Sequence, residues 1–227
     1  MKLIVQRSLH PEWQGPFHLE VASWDERLHG FLGVARDASE GRFAPDGRIF
    51  WINEGRACND QGPVTERQTF KLAFQPDGQL VTLECEDEDS PYGLVVAGCL
   101  RQLDSSLTHL DRHGQSWAVS SLEQFYVGPL HDLRAQGPSS IRRFSLSDQD
   151  LYFTRGARLW RRPLVGGAEE CVFTVDDGSL AYPLWTPRGV VVTHEDIAET
   201  RLLCLRDGQP EVLWQAGEEW LYATDWA

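Results

Sequence analysis

The chain has 227 residues, of which 41% are hydrophobic and 24% charged, and its net charge is −13. This length gives room for one sizeable core, and the composition is ordinary for a globular protein, so no disulfide framework is needed. The acidity argues against a protein that binds a phosphate backbone, because such binding depends on Lys and Arg. Surface acidity of this kind serves solubility or steers a basic partner towards the protein.

The N-terminal segment and the cysteines predict a cytoplasmic protein. The first apolar run, Leu3–Val5, is shorter than the ~7–15 residues that a secretory signal needs. No stretch approaches the ~20 apolar residues of a membrane span. The cysteines are scattered and lack Cys-x-x-Cys spacing, which indicates reduced thiols. They are Cys58, Cys85, Cys99, Cys171 and Cys204.

Short apolar runs, broken every few residues by Gly, Pro, Asp or Asn, predict an all-β protein. In chain order the predicted strands lie near 2–7, 17–24, 28–36, 41–44, 48–54, 67–74, 79–86, 93–102, 107–111, 115–121, 124–128, 141–146, 150–155, 158–164, 170–175, 181–186, 189–195, 201–206, 211–215 and 219–226. Many short strands at even spacing are typical of a sandwich, a barrel or a propeller.

Grouping of the predicted strands favours the propeller. Residues 41–86, 93–128, 141–175 and 181–215 each hold four strands and match the ~40–50 residues of one blade. We expect the C-terminal strand to join the three N-terminal strands, which closes the ring and leaves no open edge. The prediction is therefore a single β-propeller domain over residues 1–227 with five four-stranded blades. Six blades remain the alternative if residues 55–105 are grouped differently.

Two segments, Phe43–Ile49 and Phe74–Leu80, carry the pattern aromatic-x-Pro-Asp-Gly-x-Ile/Leu. Pro suits the first central position of a turn and Gly tolerates positive φ, so the pattern specifies a tight turn between strands. It is similar to the repeats of TolB-like β-propellers, and weaker copies extend over most of the chain. This resemblance implies the fold and carries no chemistry.

If the grouping holds, long loops lie at one end of the blades and tight turns at the other. Long loops are predicted at Ser8–Pro16, Gly55–Glu66, Asp87–Tyr92, Pro129–Ser140 and Asp196–Thr200. Binding residues usually lie on such loops, held by a rigid scaffold. The predicted partner-binding residues are acidic, aromatic or histidine side chains in or beside them: Glu86, Asp87, Glu88, Asp89, Tyr92, Trp13, Asp60, Glu66, His131, Glu195, Asp196 and Glu199.

Motifs for chemistry are absent from the sequence. There is no Gly-x-Ser-x-Gly elbow, P-loop or Gly-x-Gly-x-x-Gly fingerprint. The acidic run Glu84–Ser90 lacks the spaced Asp and internal Gly of an EF-hand, and the histidines form no zinc pattern, so no metal or cofactor is predicted. An arginine cluster between Arg142 and Arg162 opposes the overall charge. These arginines pair with acidic neighbours or cover apolar surface with their side-chain stems, and the functional alternative is a site for an anion or phosphate.

Size, charge and the lack of a catalytic motif predict a non-catalytic, monomeric propeller that binds a basic protein. In size and charge the chain looks like a bacterial immunity protein. That resemblance implies an inhibitor whose acidic loops cover the active site of a basic toxin or effector. Two alternatives stay open. One is a carbohydrate-binding propeller, and the other is a hydrolase with two carboxylates ~5–9 Å apart in the central channel.

Overall fold

The computed structural model describes residues 1–8, 19–27, 30–87, 89–103, 106–138, 141, 143–217 and 219–227. These residues are all-β, with 24 strands. In chain order the strands are β1 (Lys2–Ser8), β2 (Leu19–Asp25), β3 (Gly30–Arg36), β4 (Ala38–Phe43), β5 (Ile49–Asn53), β6 (Arg56–Asn59), β7 (Gly62–Pro63), β8 (Gln68–Phe74), β9 (Leu80–Cys85), β10 (Gly93–Val96), β11 (Cys99–Arg101), β12 (Leu107–His113), β13 (Ser116–Ser121), β14 (Gln124–Gly128), β15 (Arg134–Pro138), β16 (Phe144–Leu146), β17 (Asp150–Arg155), β18 (Arg158–Pro163), β19 (Glu170–Thr174), β20 (Ser179–Thr186), β21 (Gly189–Glu195), β22 (Thr200–Arg206), β23 (Gln209–Ala216) and β24 (Leu221–Trp226).

Over the described residues the strands form six four-stranded sheets. Five sheets follow chain order: β4 to β7, β8 to β11, β12 to β15, β16 to β19 and β20 to β23. The sixth has the order β24-β1-β2-β3, so the last strand pairs with the first, as predicted. Each sheet is thus a meander of four strands, the construction of a propeller blade.

The prediction of five blades is wrong, and the alternative of six is confirmed. The four strands predicted in 41–86 are the first two strands of one sheet, β4 and β5, and the first two of the next, β8 and β9. The strands that the prediction missed between them are short, with the sequences Arg-Ala-Cys-Asn in β6 and Gly-Pro in β7. Such strands lack the apolar alternation that marks a strand in a sequence. The groups at 141–175 and 181–215 are correct.

The chain forms two compact units. Unit 1 comprises Met1–Gly41 and Arg143–Ala227, and unit 2 comprises Arg42–Arg142. The sheets β24-β1-β2-β3, β16 to β19 and β20 to β23 belong to unit 1, and unit 2 holds the other three, with the boundary inside β4. Whether residues 1–227 act as a single domain stays a prediction.

Within each unit, apolar side chains of successive sheets pack against each other. In unit 1 one cluster joins Leu3 and Trp24 to Val191 and Leu202, and another joins Leu159 to Val192. Unit 2 has two equivalent clusters. The first contains Phe50 and Phe74, and the second contains Leu83 and Trp117. Burying both faces of a sheet in this way is the main stabilisation available to such short strands.

Burial differs between the strands of a sheet. Several second strands are buried on both faces, as in β21, where Val190–His194 are all buried, whereas β5 and β17 alternate between buried and more exposed residues. The fourth strands β3 and β11 contain only half-buried and exposed residues. This is why a second strand such as β21 reads as a continuous apolar run, while a short fourth strand such as β7 carries little apolar signal.

The two Pro-Asp-Gly segments form the predicted tight turns between first and second strands. Gly47 has φ 85°, and its amide donates to the carbonyl of Ala44 at 2.9 Å. Gly78 has φ 88° and donates to Gln75 at 3.0 Å. A φ in this range favours glycine, which explains the residue at both positions.

The cysteine thiols are free, as their spacing predicts. All five cysteines are free; Cys58, Cys85 and Cys204 are buried, while Cys99 and Cys171 are exposed. Burial raises the pKa of the Cys204 thiol. Among the described residues, no helix is long and apolar enough to cross a membrane. A cytoplasmic location stays a prediction.

Glu26 joins the turn after β2 to the turn before β21 in unit 1. Its carboxylate accepts a hydrogen bond from the Arg188 guanidinium and one from the amino group of Met1, the latter at 3.1 Å. These two hydrogen bonds, that from Arg188 first, lower the pKa of Glu26 below its ordinary value of 4.5. The ionised carboxylate is therefore favoured in the folded state.

We expect Gly41→Ala to destabilise the protein, because β4 passes close to the first sheet of unit 1. A Cβ atom at Gly41 would lie 2.4 Å from Cγ2 of Ile4 and 2.6 Å from Cγ1 of Val21. Overpacking of this kind costs about 1–3 kcal/mol in the free energy of unfolding, measurable by urea denaturation. Gly217→Ala is the matched control, since a Cβ there meets nothing within 4 Å. Equal stability of the two variants would contradict the close packing.

We expect Glu26→Gln to lower the melting temperature in a pH-dependent way. Because the folded-state pKa of Glu26 is lowered, its stabilisation is present above about pH 4.5 and is lost as the pH falls through the lowered value. The difference from wild type, measured by thermal melts, should be largest at neutral pH and shrink towards pH ~3. The control is Glu123→Gln, since Glu123 is exposed. A difference that grows on acidification would refute this account.

Candidate functional site

Each sheet has two chemically different ends. We call the end where the second strand leads to the third, and where the first strand begins, the loop end. The opposite end, where the first strand leads to the second and the third to the fourth, is the turn end. The segments 86–92 and 196–199 lie at loop ends, and the Pro-Asp-Gly turns lie at turn ends. The predicted binding residues can therefore be assigned to ends sheet by sheet.

In unit 2, the link between β9 and β10 carries the densest set of predicted residues. Glu86, Asp87 and Asp89 are exposed there. Asp87 Oδ1 accepts hydrogen bonds from the Ser90 hydroxyl at 2.7 Å and from the Asp89 amide at 3.1 Å. The hydroxyl bond is the main reason that the pKa of Asp87 is lowered. Asp87 thus shapes the loop, while Glu86 and Asp89 present charge to solvent.

Tyr92 closes the same link and contacts an aromatic residue that the sequence did not single out. Its ring lies 5.2 Å from that of Phe70, which is 42% exposed. The Lys71 ammonium also lies over the Phe70 ring, 5.2 Å from the centroid. The acidic loop of unit 2 therefore adjoins an exposed aromatic side chain.

Two predicted loops of unit 2 are not single loops, which corrects the placement of two residues. The segment 55–66 contains β6 and β7, and 129–140 contains β15. Asp60 and His131 consequently lie between third and fourth strands, at turn ends, and Glu66 lies at a loop end between β7 and β8. All three side chains are exposed. Their role as partner contacts stays a prediction.

In unit 1, the link between β21 and β22 carries the other predicted acidic residues. Glu199 is engaged by Arg201 and by the Gln215 side chain, so its charge is largely satisfied within the fold. Asp196 is half-buried, and its amide donates to the Glu199 carbonyl at 3.0 Å. Between them Ile197 is fully exposed, with a relative accessibility of 105%.

Glu195, at the end of β21, contacts an aromatic cluster. Its Oε1 accepts a hydrogen bond from the Trp220 indole at 2.6 Å. The Trp220 ring packs edge-on against Tyr222 and Tyr182, with centroids 4.7 and 5.4 Å apart. Tyr222 is anchored below, because its hydroxyl donates to the buried side chain of Gln6. A carboxylate and three aromatic rings thus meet at the loop end of unit 1.

Tyr182 is positioned by an irregularity in β20. The register with β21 shifts between Ala181 and Leu184, and Tyr182 has φ 50°. A bulky residue in the left-handed region costs about 1–3 kcal/mol, and such strain concentrates at functional sites. Burial raises the pKa of Tyr182 to about 12, so the phenol is neutral at physiological pH. The bulge re-aims this ring towards the cluster.

One face of the Tyr182 ring is covered by Arg143. The guanidinium carbon lies 3.9 Å from the ring centroid. Cation–π contacts of this kind are stabilising when the cation lies within about 6 Å of the ring. The sequence singled out Arg143 only as part of the arginine cluster. In the structure its guanidinium contacts an aromatic ring, whereas those of Arg155 and Arg161 contact carboxylates.

Other arginines of the cluster are paired, as the first of the two sequence interpretations expects. Arg155 bonds Glu169 at 2.6 Å, and Arg161 bonds Glu170 at 2.5 Å. Arg161 also lines a groove of about 740 Å³ at the turn end of unit 1. Because Glu170 lines the same groove and pairs with Arg161, the charge of this arginine is already compensated there.

The expectations about metal binding and hydrolysis concern His, Cys, Asp and Glu side chains. Among the described residues, no group of His, Cys, Asp and Glu could hold a metal ion. Buried carboxylates exist in unit 2, where Glu84 accepts a 2.5 Å hydrogen bond from the Thr82 hydroxyl and Asp111 is 8% exposed. The hydrolase alternative stays a prediction. Trp13, Glu88 and Arg142 lie outside the described residues.

Sequence reasoning missed Phe70, Ile197 and the role of Tyr182. For Tyr182 a signal existed, since Pro183 follows it inside a predicted strand. Proline within a sheet is confined to edges and bulges, so this pair marks an irregularity. Ile197 has no such signal, because a single apolar residue in a polar loop has no periodicity.

We expect Tyr222→Phe to lower the free energy of unfolding by about 1 kcal/mol, because it removes a buried hydrogen bond to Gln6. The ring and its packing on Tyr182 are kept, so near-ultraviolet circular dichroism should change little. Urea denaturation measures the loss. An unchanged stability would show that the Tyr222 hydroxyl does not anchor the cluster.

Comparison with known proteins identifies similar folds among solved structures but no matching family. No family model matches the chain, and no curated protein matches it. Among solved structures, the tricorn protease matches with a TM-score of 0.62 and 13% identity over 94% of this chain. The match covers 26% of that protein, so the chain spans about a quarter of its length.

Two further structures match at 10% identity. The β-propeller domain of the Trilobed protease from Pyrococcus furiosus has a TM-score of 0.58 and is covered over 93% of its length and 94% of this chain. The WD40 β-propeller domain of Doa1 has a TM-score of 0.56, and the match covers 76% of its length and 88% of this chain. At these identities the similarity concerns the fold alone. The chain has the β-propeller fold, built from four-stranded blades.

Proposed function

We propose that this protein is a non-catalytic protein-binding β-propeller whose partner is basic, and that it binds through loop ends of its sheets. The finer proposal is an immunity-type inhibitor that occludes the active site of a toxin or effector. Propeller scaffolds suit this role, because rigid sheets hold irregular loops in fixed positions.

The observation that carries the proposal is the exposed Ile197 on the acidic link between β21 and β22. A single exposed apolar residue is ordinary at a protein surface. The position of Ile197 distinguishes it from such a residue. It lies two residues after Glu195, whose carboxylate binds Trp220 of the aromatic cluster, and it is fully exposed. Apolar and aromatic side chains surrounded by charge are the usual composition of a protein interface.

Electrostatics supports a basic partner. The net charge of −13 gives the whole protein a negative field, which speeds the approach of a positive partner. In unit 1 the half-buried carboxylates Glu195 and Asp196 directly precede Ile197, and in unit 2 Glu86 and Asp89 are exposed. Inhibition then needs no chemistry from the propeller, since covering the partner's active site excludes its substrate.

We expect Ile197→Ala to weaken partner binding by about tenfold or more, as for a residue central to an interface. The partner is first identified by affinity capture from the native host and then purified, and binding is measured by biolayer interferometry. Val165→Ala is the matched control, because Val165 is 98% exposed but lies at the turn end of unit 1. Equal binding by both variants and wild type would reject the loop end of unit 1 as the surface.

Charge reversal in the same assay tests the steering. Asp196→Lys should slow association and reduce its dependence on salt, whereas Asp60→Lys, at a turn end, should change association less. Reversal of Glu86 and Asp89 tests the loop of unit 2 and spares Asp87, which organises it. The inhibitor proposal also requires that a stoichiometric amount of this protein abolish the enzymatic activity of the captured partner.

A carbohydrate ligand is the second candidate, favoured by the same aromatic cluster. Stacked rings beside a carboxylate can hold a sugar through its apolar face and its hydroxyls. A glycan array separates the two candidates. Specific glycan binding that is lost in Trp220→Ala would favour the carbohydrate ligand, and a blank array would favour the protein partner.

A further inference from the structure

Tyr182 is held between an aromatic ring and a guanidinium group. The Tyr222 ring stacks on it with a centroid distance of 3.8 Å and an interplanar angle of 15°. Arg143 lies 3.9 Å from the same centroid. Two groups this close to one centroid must occupy opposite faces of the ring. The outer face of Tyr182 therefore already accommodates a guanidinium.

Arg143 has little else to hold it in place. Its side chain is exposed, and among the described residues it has no ion-pair partner. An exposed cation–π contact is weak compared with a bidentate pair to a carboxylate. A competing cation that also reached a carboxylate would consequently be favoured over Arg143.

Glu195 can supply that carboxylate. Its Oε1 is occupied by the Trp220 indole at 2.6 Å, whereas its Oε2 has no hydrogen-bond partner within the described part of the chain. Besides burial, the charges of Glu195 and Glu40 raise the pKa of Tyr182. Glu195 is held by Trp220, whose ring centroid lies 5.4 Å from that of Tyr182. The indole bond fixes the Glu195 side chain and leaves one oxygen for a ligand.

We propose that the Tyr182–Tyr222–Trp220 cluster with Glu195 is a subsite for an arginine side chain of the partner, which displaces Arg143. This inference rests on the proposed function and names the group that the surface recognises. A planar guanidinium can stack on Tyr182 and donate to Glu195 at the same time, which a lysine ammonium cannot do equally well. Arg143 keeps the aromatic face covered until the partner binds.

The test uses N-acetyl-arginine methylamide as the probe and the indole N–H signal of Trp220 as the readout. The signal is assigned in a ¹⁵N spectrum by its loss in Trp220→Phe. Arg143→Ala should bind the probe roughly threefold to tenfold more tightly than wild type, because an internal competitor has been removed. Tyr182→Phe keeps the ring and should bind within about twofold of wild type, whereas Tyr182→Leu should abolish binding.

Three controls test whether the probe is recognised by its guanidinium and whether Arg143 is its specific competitor. Arg158→Ala removes the same charge from an exposed position on β18 and should leave the affinity unchanged. The citrulline analogue has the same shape without the charge and should not shift the signal, and the lysine analogue should bind more weakly than arginine.

The proposal is overturned if Arg143→Ala binds no more tightly than wild type, or if citrulline or lysine binds as well as arginine. The probe needs no partner, so this outcome is separate from that of the Ile197 experiment. A failed probe with an Ile197-dependent partner would remove only the arginine subsite. Probe binding that depends on Tyr182, with no effect of Ile197 on the partner, would remove the proposed interface instead.

Discussion

The fold of unit 1 depends on pairing between strands from the two ends of the chain. Along β24 and β1, Leu3 lies opposite Trp226 and Arg7 lies opposite Leu221. The pairing also brings Leu221 into the core that contains Trp24. The entropy cost of closing so long a loop grows only slowly with its length, so backbone hydrogen bonds and apolar burial can offset it. Without β24 the sheet would lack its first strand.

The same pairing builds the aromatic cluster. Tyr222 lies on β24, Trp220 lies just before it, and Gln6, which receives the Tyr222 hydroxyl, lies on β1. Two of the groups that fix the aromatic cluster, Tyr222 and Gln6, are therefore set on paired strands. Rings placed on strands and fixed by buried hydrogen bonds are pre-organised, which reduces the entropy lost on binding. Tyr182 departs from regular geometry, since it lies in the bulge of β20.

The strands and turns that could be predicted from the sequence are those marked by buried apolar residues or by turn residues. The turns at Pro45–Gly47 and Pro76–Gly78, the strand groups of 141–215 and the pairing of the chain ends were all predicted, because apolar runs and turn residues mark them. The third and fourth strands β6 and β7 were missed, since strands of four and two residues are too short to show an apolar pattern, and the blade count failed for that reason. In the proposed site, Glu195 and Asp196 were predicted from their charge, whereas Ile197 and Tyr182 belong to no apolar period and were not predicted as contacts. Their role in binding stays a proposal.

The split of unit 1 across the chain bears on how the protein forms during synthesis. Unit 2 is continuous, so all its strands have been made once residue 142 has left the ribosome. Strands β1 to β3 are made first, yet the partner of β1 arrives only with residues 221–226. Until then the open edge of β1 exposes unpaired amide and carbonyl groups, which can pair with another chain. The nascent protein is thus most prone to misassembly in the interval before its last strand emerges.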